Sequence, residues 1–283
     1  MGGLKVLDQL ELGDHVCWTV DDDAVRLDAV VDVLASGLRS RQKVCYLGPD
    51  PHRVVDGLAE RNGAARNALA TGQLVAETPE GSYLSGGSFD AEATVEHFLA
   101  EKEKARAEGY QGLRVVGDMS WASRGVPGAE SLDWYEARIN EVFVDGFVAG
   151  VCAYDRRIFD PLTLRRLTLA HPGAAGPLLP FDPASSLRCR RTTEPFGMKL
   201  TGEADMSNRF ALESVLAGLI ADLPESGGTA ILDVTGLRFA DTAAARVVIQ
   251  AVADSGDRVR VRGCLPVVGR LLRFHGLTQE AML

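Results

Sequence analysis

His15 and Cys17 stand two residues apart in the apolar run HVCWTV (15–20). In an extended strand that spacing puts both side chains on one face. Imidazole and thiol are metal-ligating types, and His171 could add a third ligand. Two ligands without a close second pair fall short of a metal motif, so no metal and no cofactor is expected. Buried cysteines more commonly act as small apolar side chains. Asp118 ends another apolar run, LRVVGD (113–118), where a nucleotidase would hold Mg²⁺. Trp121, Cys152 and Tyr154 lie near the ends of further apolar runs. Ligands of doubly wound sheets gather beyond the carboxyl ends of the strands. His15, Cys17, Asp118, Trp121, Cys152, Tyr154 and His171 are therefore the candidate ligand-binding residues. Trp18 and Tyr46 point to the opposite face. The plain alternatives are core packing for Trp121 and Trp134, and a helix stop for His171-Pro172.

A second chemical feature lies in ILDVTGLRFADTAAARVVI (231–249). ILDV reads as a buried strand, GLRFAD as a sharp turn, and Asp241 or Thr242 as the cap of the helix that follows. The Thr242 hydroxyl is thereby placed at a helix N-terminus, where free backbone N–H groups and the helix dipole favour a phosphate. Phosphorylation there adds about −1.5 to −2 charges without unfolding the helix and would eject a docked protein. Asp241, Thr242, Arg246 and Phe239 are the candidate partner-binding residues. The alternative is that Thr242 is only a cap.

The elements that must position these residues follow from periodicity. Strands are predicted at 15–20, 43–48, 73–78, 113–121 and 147–155, and helices over 24–38, from Pro51, over 91–107, over 130–144 and from Pro161. Five strands with helical crossovers predict a parallel sheet covered on both faces. The proline-rich stretch 171–197 suggests a linker. Beyond it the alternation restarts: a strand at 198–205, a helix over 208–223, a strand at 229–236, a helix over 242–253, a strand at 258–263 and a helix over 266–274. The fold class is α/β throughout, with domains at 1–175 and 195–283 joined by a linker at 176–194.

The 283 residues are enough for two domains, and 46% hydrophobic with 24% charged excludes a disordered chain. With 30 Lys+Arg against 39 Asp+Glu the formal charge is −9, which argues against a nucleic-acid partner. No apolar run is long enough to span a bilayer. The N-terminal segment lacks the pattern of a secretory leader. Five scattered cysteines fit free thiols in a reducing cytosol. The first strand-to-helix turn, TVDDDAVRLD, holds neither GxxxxGK nor GxGxxG. No enzymatic activity is expected; a degenerate nucleotide-binding protein is one alternative.

Residues 195–283 resemble a STAS domain of the anti-sigma factor antagonist type. The resemblance rests on Gly202-Glu203-Ala204-Asp205, Leu232-Asp233-Val234, Phe239-Ala240-Asp241-Thr242, and the tail from Gly263-Cys264-Leu265-Pro266 to His275-Gly276-Leu277. It implies a partner that is an anti-sigma factor and serine/threonine protein kinase, with the family's phosphorylated hydroxyl falling on Thr242. The usual segment is Asp-Ser-Ser/Thr-Gly; here it is Asp241-Thr242-Ala243-Ala244. Another role the resemblance implies is that of a subunit in a large stress-sensing assembly.

Residues 10–175 resemble the MEDS family, a sensory domain named for methanogens and methylotrophs. The matching residues are Gly13-Asp14-His15-Val16-Cys17, Gly37-Leu38 through Tyr46, Gly117-Asp118-Met119-Ser120-Trp121, Trp134-Tyr135-Glu136, Cys152-Ala153-Tyr154-Asp155-Arg156 and His171-Pro172. The resemblance implies a RecA-like fold, without a phosphate loop, that senses a small ligand of unidentified structure. The combined expectation is a cytoplasmic signalling regulator, with a homodimer possible and no membrane partner.

Overall fold

The computed structural model describes residues 6–283 apart from Asn62 and Ser226. The first five residues of the segment read as lacking a leader lie outside the described residues. No described helix is long and apolar enough to cross a membrane.

The first unit begins with β1 (His15–Val20), α1 (Asp23–Arg39), β2 (Lys43–Leu47), α2 (Pro51–Arg61), α3 (Ala65–Ala70) and β3 (Leu74–Glu77). It continues through α4 (Ala91–Ala107), β4 (Leu113–Asp118), α5 (Leu132–Arg138), β5 (Val148–Asp155), α6 (Pro161–Leu169) and β6 (Gly173–Ala175). Its six strands pair in parallel in the order β3-β2-β4-β5-β1-β6. This is the predicted parallel α/β sheet, widened by the short β6. Alternation divides each strand between two cores. Val16, Trp18, Tyr46 and Val151 pack toward α1 and α2, whereas Cys17, Val115, Cys152 and Tyr154 pack toward α4, α5 and α6.

Two predicted elements differ for local reasons. The strand expected to run to Trp121 stops at Asp118, whose carboxylate accepts the Ser120 N–H at 3.0 Å and caps a 3₁₀ segment over Met119–Arg124. The helix expected over 130–144 is α5 followed by a 3₁₀ turn at Ile139–Val142. Asn140 explains the change: its side-chain amide donates to the Glu136 and Ala137 carbonyls, competing with the helical ladder.

The second unit contains β7 (Arg188–Thr193), β8 (Phe196–Ala204), α7 (Arg209–Ala221), β9 (Ala230–Ala240), α8 (Thr242–Asp254), β10 (Val259–Arg262) and α9 (Pro266–Phe274). Its sheet order is β10-β9-β8-β7, with only β7 antiparallel to its neighbour. The expected sharp turn at GLRFAD is instead a continuation of β9, which stays paired with β8 through two register shifts.

The predicted linker 176–194 is corrected at its end, because residues 188–193 form edge strand β7. Charged side chains suit an exposed sheet edge, which is why this strand read as a solvated connector. The rest of the connector is anchored at single points: Phe181 lies in the first unit's core and its N–H donates to the Val6 carbonyl at 2.8 Å, while Leu178 and Leu179 are exposed. Arg188, Arg190 and Arg191 are ordered rather than solvated. Arg188 binds the Asp14 carboxylate through Nε (2.6 Å) and Nη2 (3.0 Å), Arg190 donates to the Leu12 carbonyl, and Arg191 pairs with Asp222. The Asp14 carboxylate is fully buried, so removing its cation strands a charge. Arg188→Ala is expected to lower stability by about 1–3 kcal/mol in urea denaturation; an unchanged midpoint would show that the pair does not tie the units together.

Candidate functional site

β1 and β5 lie side by side with His15 opposite Gly150, Cys17 opposite Cys152 and Thr19 opposite Tyr154. Gly150 leaves room for the ring of Phe143, which a Cβ at that position would meet at 2.7 Å. Phe143 therefore stacks on His15, with centroids 4.5 Å apart and planes 9° apart. α5 crosses this face and lowers Glu136 onto it, and the end of α6 brings His171 to within 4.2 Å of His15, centroid to centroid. Glu136 is completely buried, and His15 and His171 are each 1% exposed.

Every polar atom here has a defined neighbour. His15 Nε2 lies 3.5 Å from Glu136 Oε2 and 3.4 Å from Cys152 Sγ. His171 Nε2 lies 3.2 Å from the same Oε2, and Cys152 Sγ is 3.4 Å from it. The Tyr154 hydroxyl donates to the other carboxylate oxygen, Oε1. His15 Nδ1 lies 2.9 Å from Asn140 Oδ1, and His171 Nδ1 lies 2.7 Å from the Leu167 carbonyl.

Burial lowers the His15 pKa, and the neighbouring His171 lowers it further. Burial alone would raise the Glu136 pKa, but the two histidines outweigh it and hold the carboxyl well below the usual range. Burial pushes the Cys152 thiol and the Tyr154 hydroxyl far up. A cavity of about 20 Å³ adjoins His15 and Cys152; its other walls include Tyr83, Phe98, Tyr135 and Val142. It has room for about one water-sized group.

Of the predicted ligand-site residues, His15, Cys152, Tyr154 and His171 come together, and the other three do not join them. Cys17 faces Thr168, with Sγ 3.6 Å from Oγ1, and burial raises its thiol to about 12. Asp118 is committed to Arg26 Nη1 at 2.8 Å and to the Ser120 N–H. Trp121 is wholly buried between Tyr83 and Phe89. The convergence at the carboxyl ends of the strands is thus corrected: the cluster lies beneath α5 and α6, with His15 at the start of its strand. Glu136 and Asn140 escaped the residue-level reading. Their signal was positional, since Leu132, Tyr135, Glu136, Ile139 and Asn140 share the buried stripe of one helical segment.

In the second unit Asp241 is the cap of α8, accepting the Ala244 N–H at 2.9 Å through Oδ1 and the Met206 N–H at 3.0 Å through Oδ2. Both its oxygens are occupied within the fold, so it positions the helix start. Thr242 is exposed there. It borders a groove of about 530 Å³ between α7 and α8, which Arg246, one turn onward, also lines. Phe239 is 48% exposed on β9, outside the groove wall.

The fold and the buried cluster define a parallel α/β domain with a polar centre closed from solvent and, in its first turn, no phosphate loop. Residues 14–172 match the family described as MEDS, the methanogen/methylotroph, DcmR sensory domain. That is more than half of the chain, and the chain belongs to this family. It is 29% identical over 157 residues to the transcriptional repressor DcmR of Methylorubrum extorquens, a match covering 52% of this chain and 53% of that protein. The chain thus spans about half the length of that curated relative. Among solved structures, it is similar to the flagellar accessory protein FlaH from Methanocaldococcus jannaschii, with a TM-score of 0.41, 12% identity and coverage of 68% of this chain and 80% of that one. A KaiC-like protein from Pyrococcus horikoshii gives a TM-score of 0.39, 9% identity and coverage of 67% and 77%.

Proposed function

We propose that this chain is a non-enzymatic signalling regulator, in which the MEDS domain senses a small, largely apolar ligand and the second unit is a STAS-type output. The output binds an anti-sigma serine/threonine kinase and is switched by phosphorylation of Thr242. One observation carries the reading: the Thr242 hydroxyl is exposed at the capped start of a 13-residue helix, on the rim of a groove wide enough to seat a partner element. A phosphate there meets the helix dipole and leaves the cap in place.

The packing supports communication between the two units. The segment from α5 through its 3₁₀ turn supplies Glu136 and Asn140 to the buried cluster and also packs against α7, which forms one wall of the groove. Glu141 of the turn sits against Gly218 of α7, where an added Cβ would come within 2.4 Å of its carboxylate. A ligand that prefers one setting of α5 would bias α7, and the coupling equals its differential affinity for the two arrangements. The repressor DcmR, related over the sensory half, is a regulator by name, and a regulatory role for this chain extends that likeness.

Calorimetric titration against the host's anti-sigma-type kinases tests the switch. Thr242→Asp is expected to weaken binding by roughly 10–100-fold, about 1.4–2.7 kcal/mol, while Thr242→Ala stays near wild type. Equal affinities for the two variants would count against phosphorylation control.

A further inference from the structure

We propose that His15, Glu136, Cys152 and His171 are the four ligands of a divalent first-row metal ion, zinc above all. The inference is independent of the kinase switch, since it concerns only the interior of the sensory domain.

Hydrogen bonding sets the tautomers. The Leu167 carbonyl can only accept, so the proton of His171 sits on Nδ1. The Asn140 amide nitrogen donates to the carbonyls of Glu136, Ala137 and Ala170 at 2.8–2.9 Å, which leaves its oxygen to accept from His15 Nδ1. With each Nδ1 committed to an acceptor, the Nε2 atom of each ring is the one turned to the Glu136 carboxylate. His171 Nε2 is buried and has no hydrogen-bond partner. Two Nε2 atoms, a thiol and one carboxylate oxygen turned toward one another form a donor set that a positive centre between them would hold together. Second partners that fix a histidine's tautomer in this way are a regular feature of metal sites.

The spacing suits an ion. The four donor atoms lie within 4.8 Å of one another. Tetrahedral zinc, with bonds of about 2.0–2.3 Å, separates its ligands by about 3.3–3.7 Å. Four of the contacts here fall at 3.2, 3.4, 3.4 and 3.5 Å. Tyr154 holds the remaining carboxylate oxygen, so Glu136 offers Oε2 alone. Binding releases the thiol proton of Cys152 to solvent, and a 2+ ion, one thiolate and one carboxylate then sum to zero, as a fully buried centre requires. Imidazole nitrogens with one thiolate favour zinc over magnesium or calcium.

The test uses the full chain and the metals zinc and cobalt(II) alone as probes. Protein isolated under reductant is analysed for metal by mass spectrometry, then unfolded with chelator and refolded with either ion. About one equivalent per chain is expected, and for cobalt a thiolate charge-transfer band in the near ultraviolet together with the visible bands of a tetrahedral site. Cys152→Ser is expected to abolish the near-ultraviolet band, whereas Cys17→Ser, altering the thiol that faces Thr168, keeps it. Failure of the wild-type chain to hold stoichiometric metal, as isolated and after refolding, overturns the proposal. So does a charge-transfer band that survives Cys152→Ser. If that variant does not refold, the wild-type stoichiometry and cobalt spectrum decide.

Discussion

Replacing Glu136 with alanine is expected to destabilise the chain by about 3–5 kcal/mol, the cost of removing one member of a buried ionic network. The size follows from what is left behind. Tyr154 loses the acceptor of its hydroxyl, and His15 and His171 lose the carboxylate between them. Neither the glutamate nor the tyrosine has exposed surface, so bulk water does not reach the groups left behind. Glu136→Gln, which keeps the volume and the Tyr154 hydrogen bond but removes the charge, is expected to lose less. Guanidinium denaturation with unchanged m-values would measure both. A loss below about 1 kcal/mol for the alanine variant, the size of an ordinary substitution, would show that the cluster has little part in holding α5 to the sheet.

Trp121→Ala should cost about 3–5 kcal/mol as well, through a different cause. The indole has no exposed surface, lies 5.5 Å from Tyr83 and 4.9 Å from Phe89 between ring centroids, and plugs the face of the sheet beside α4. Alanine would leave a cavity that a rigid aromatic cluster cannot collapse into. Trp121→Phe should retain most of the packing. Thermal unfolding of the two variants separates these outcomes. A stable alanine variant would return Trp121 to the role of a ligand-contacting side chain that its place after Asp118 first suggested.

The two sites differ in how far they could be read before the fold was seen. Thr242 sits where local chemistry alone placed it: an Asp-Thr pair ahead of an Ala/Val-rich stretch specifies a capped helix start, whatever packs around it. The buried cluster is non-local. His15 and Cys152 are 137 positions apart, and only the parallel register of β1 with β5 makes them neighbours. Cys17 was favoured because it shares a strand face with His15, but that face is wide enough for Cys17 to meet Thr168 while Cys152 meets His15.

The amino-acid order by itself determined most of the strands and helices, though not β6, β7 or the full length of β9, together with both sheets' α/β character and the kinship of residues 14–172, because each rests on short-range periodicity, capping and motif order. Only the tertiary structure decided that Glu136 is the centre of the cluster. Along the chain it is one acid on an amphipathic segment, easily taken for part of a solvated face. It became the hub because strand register and the crossing of α5 over the sheet carried a carboxylate into a space already occupied by two imidazoles and a thiol.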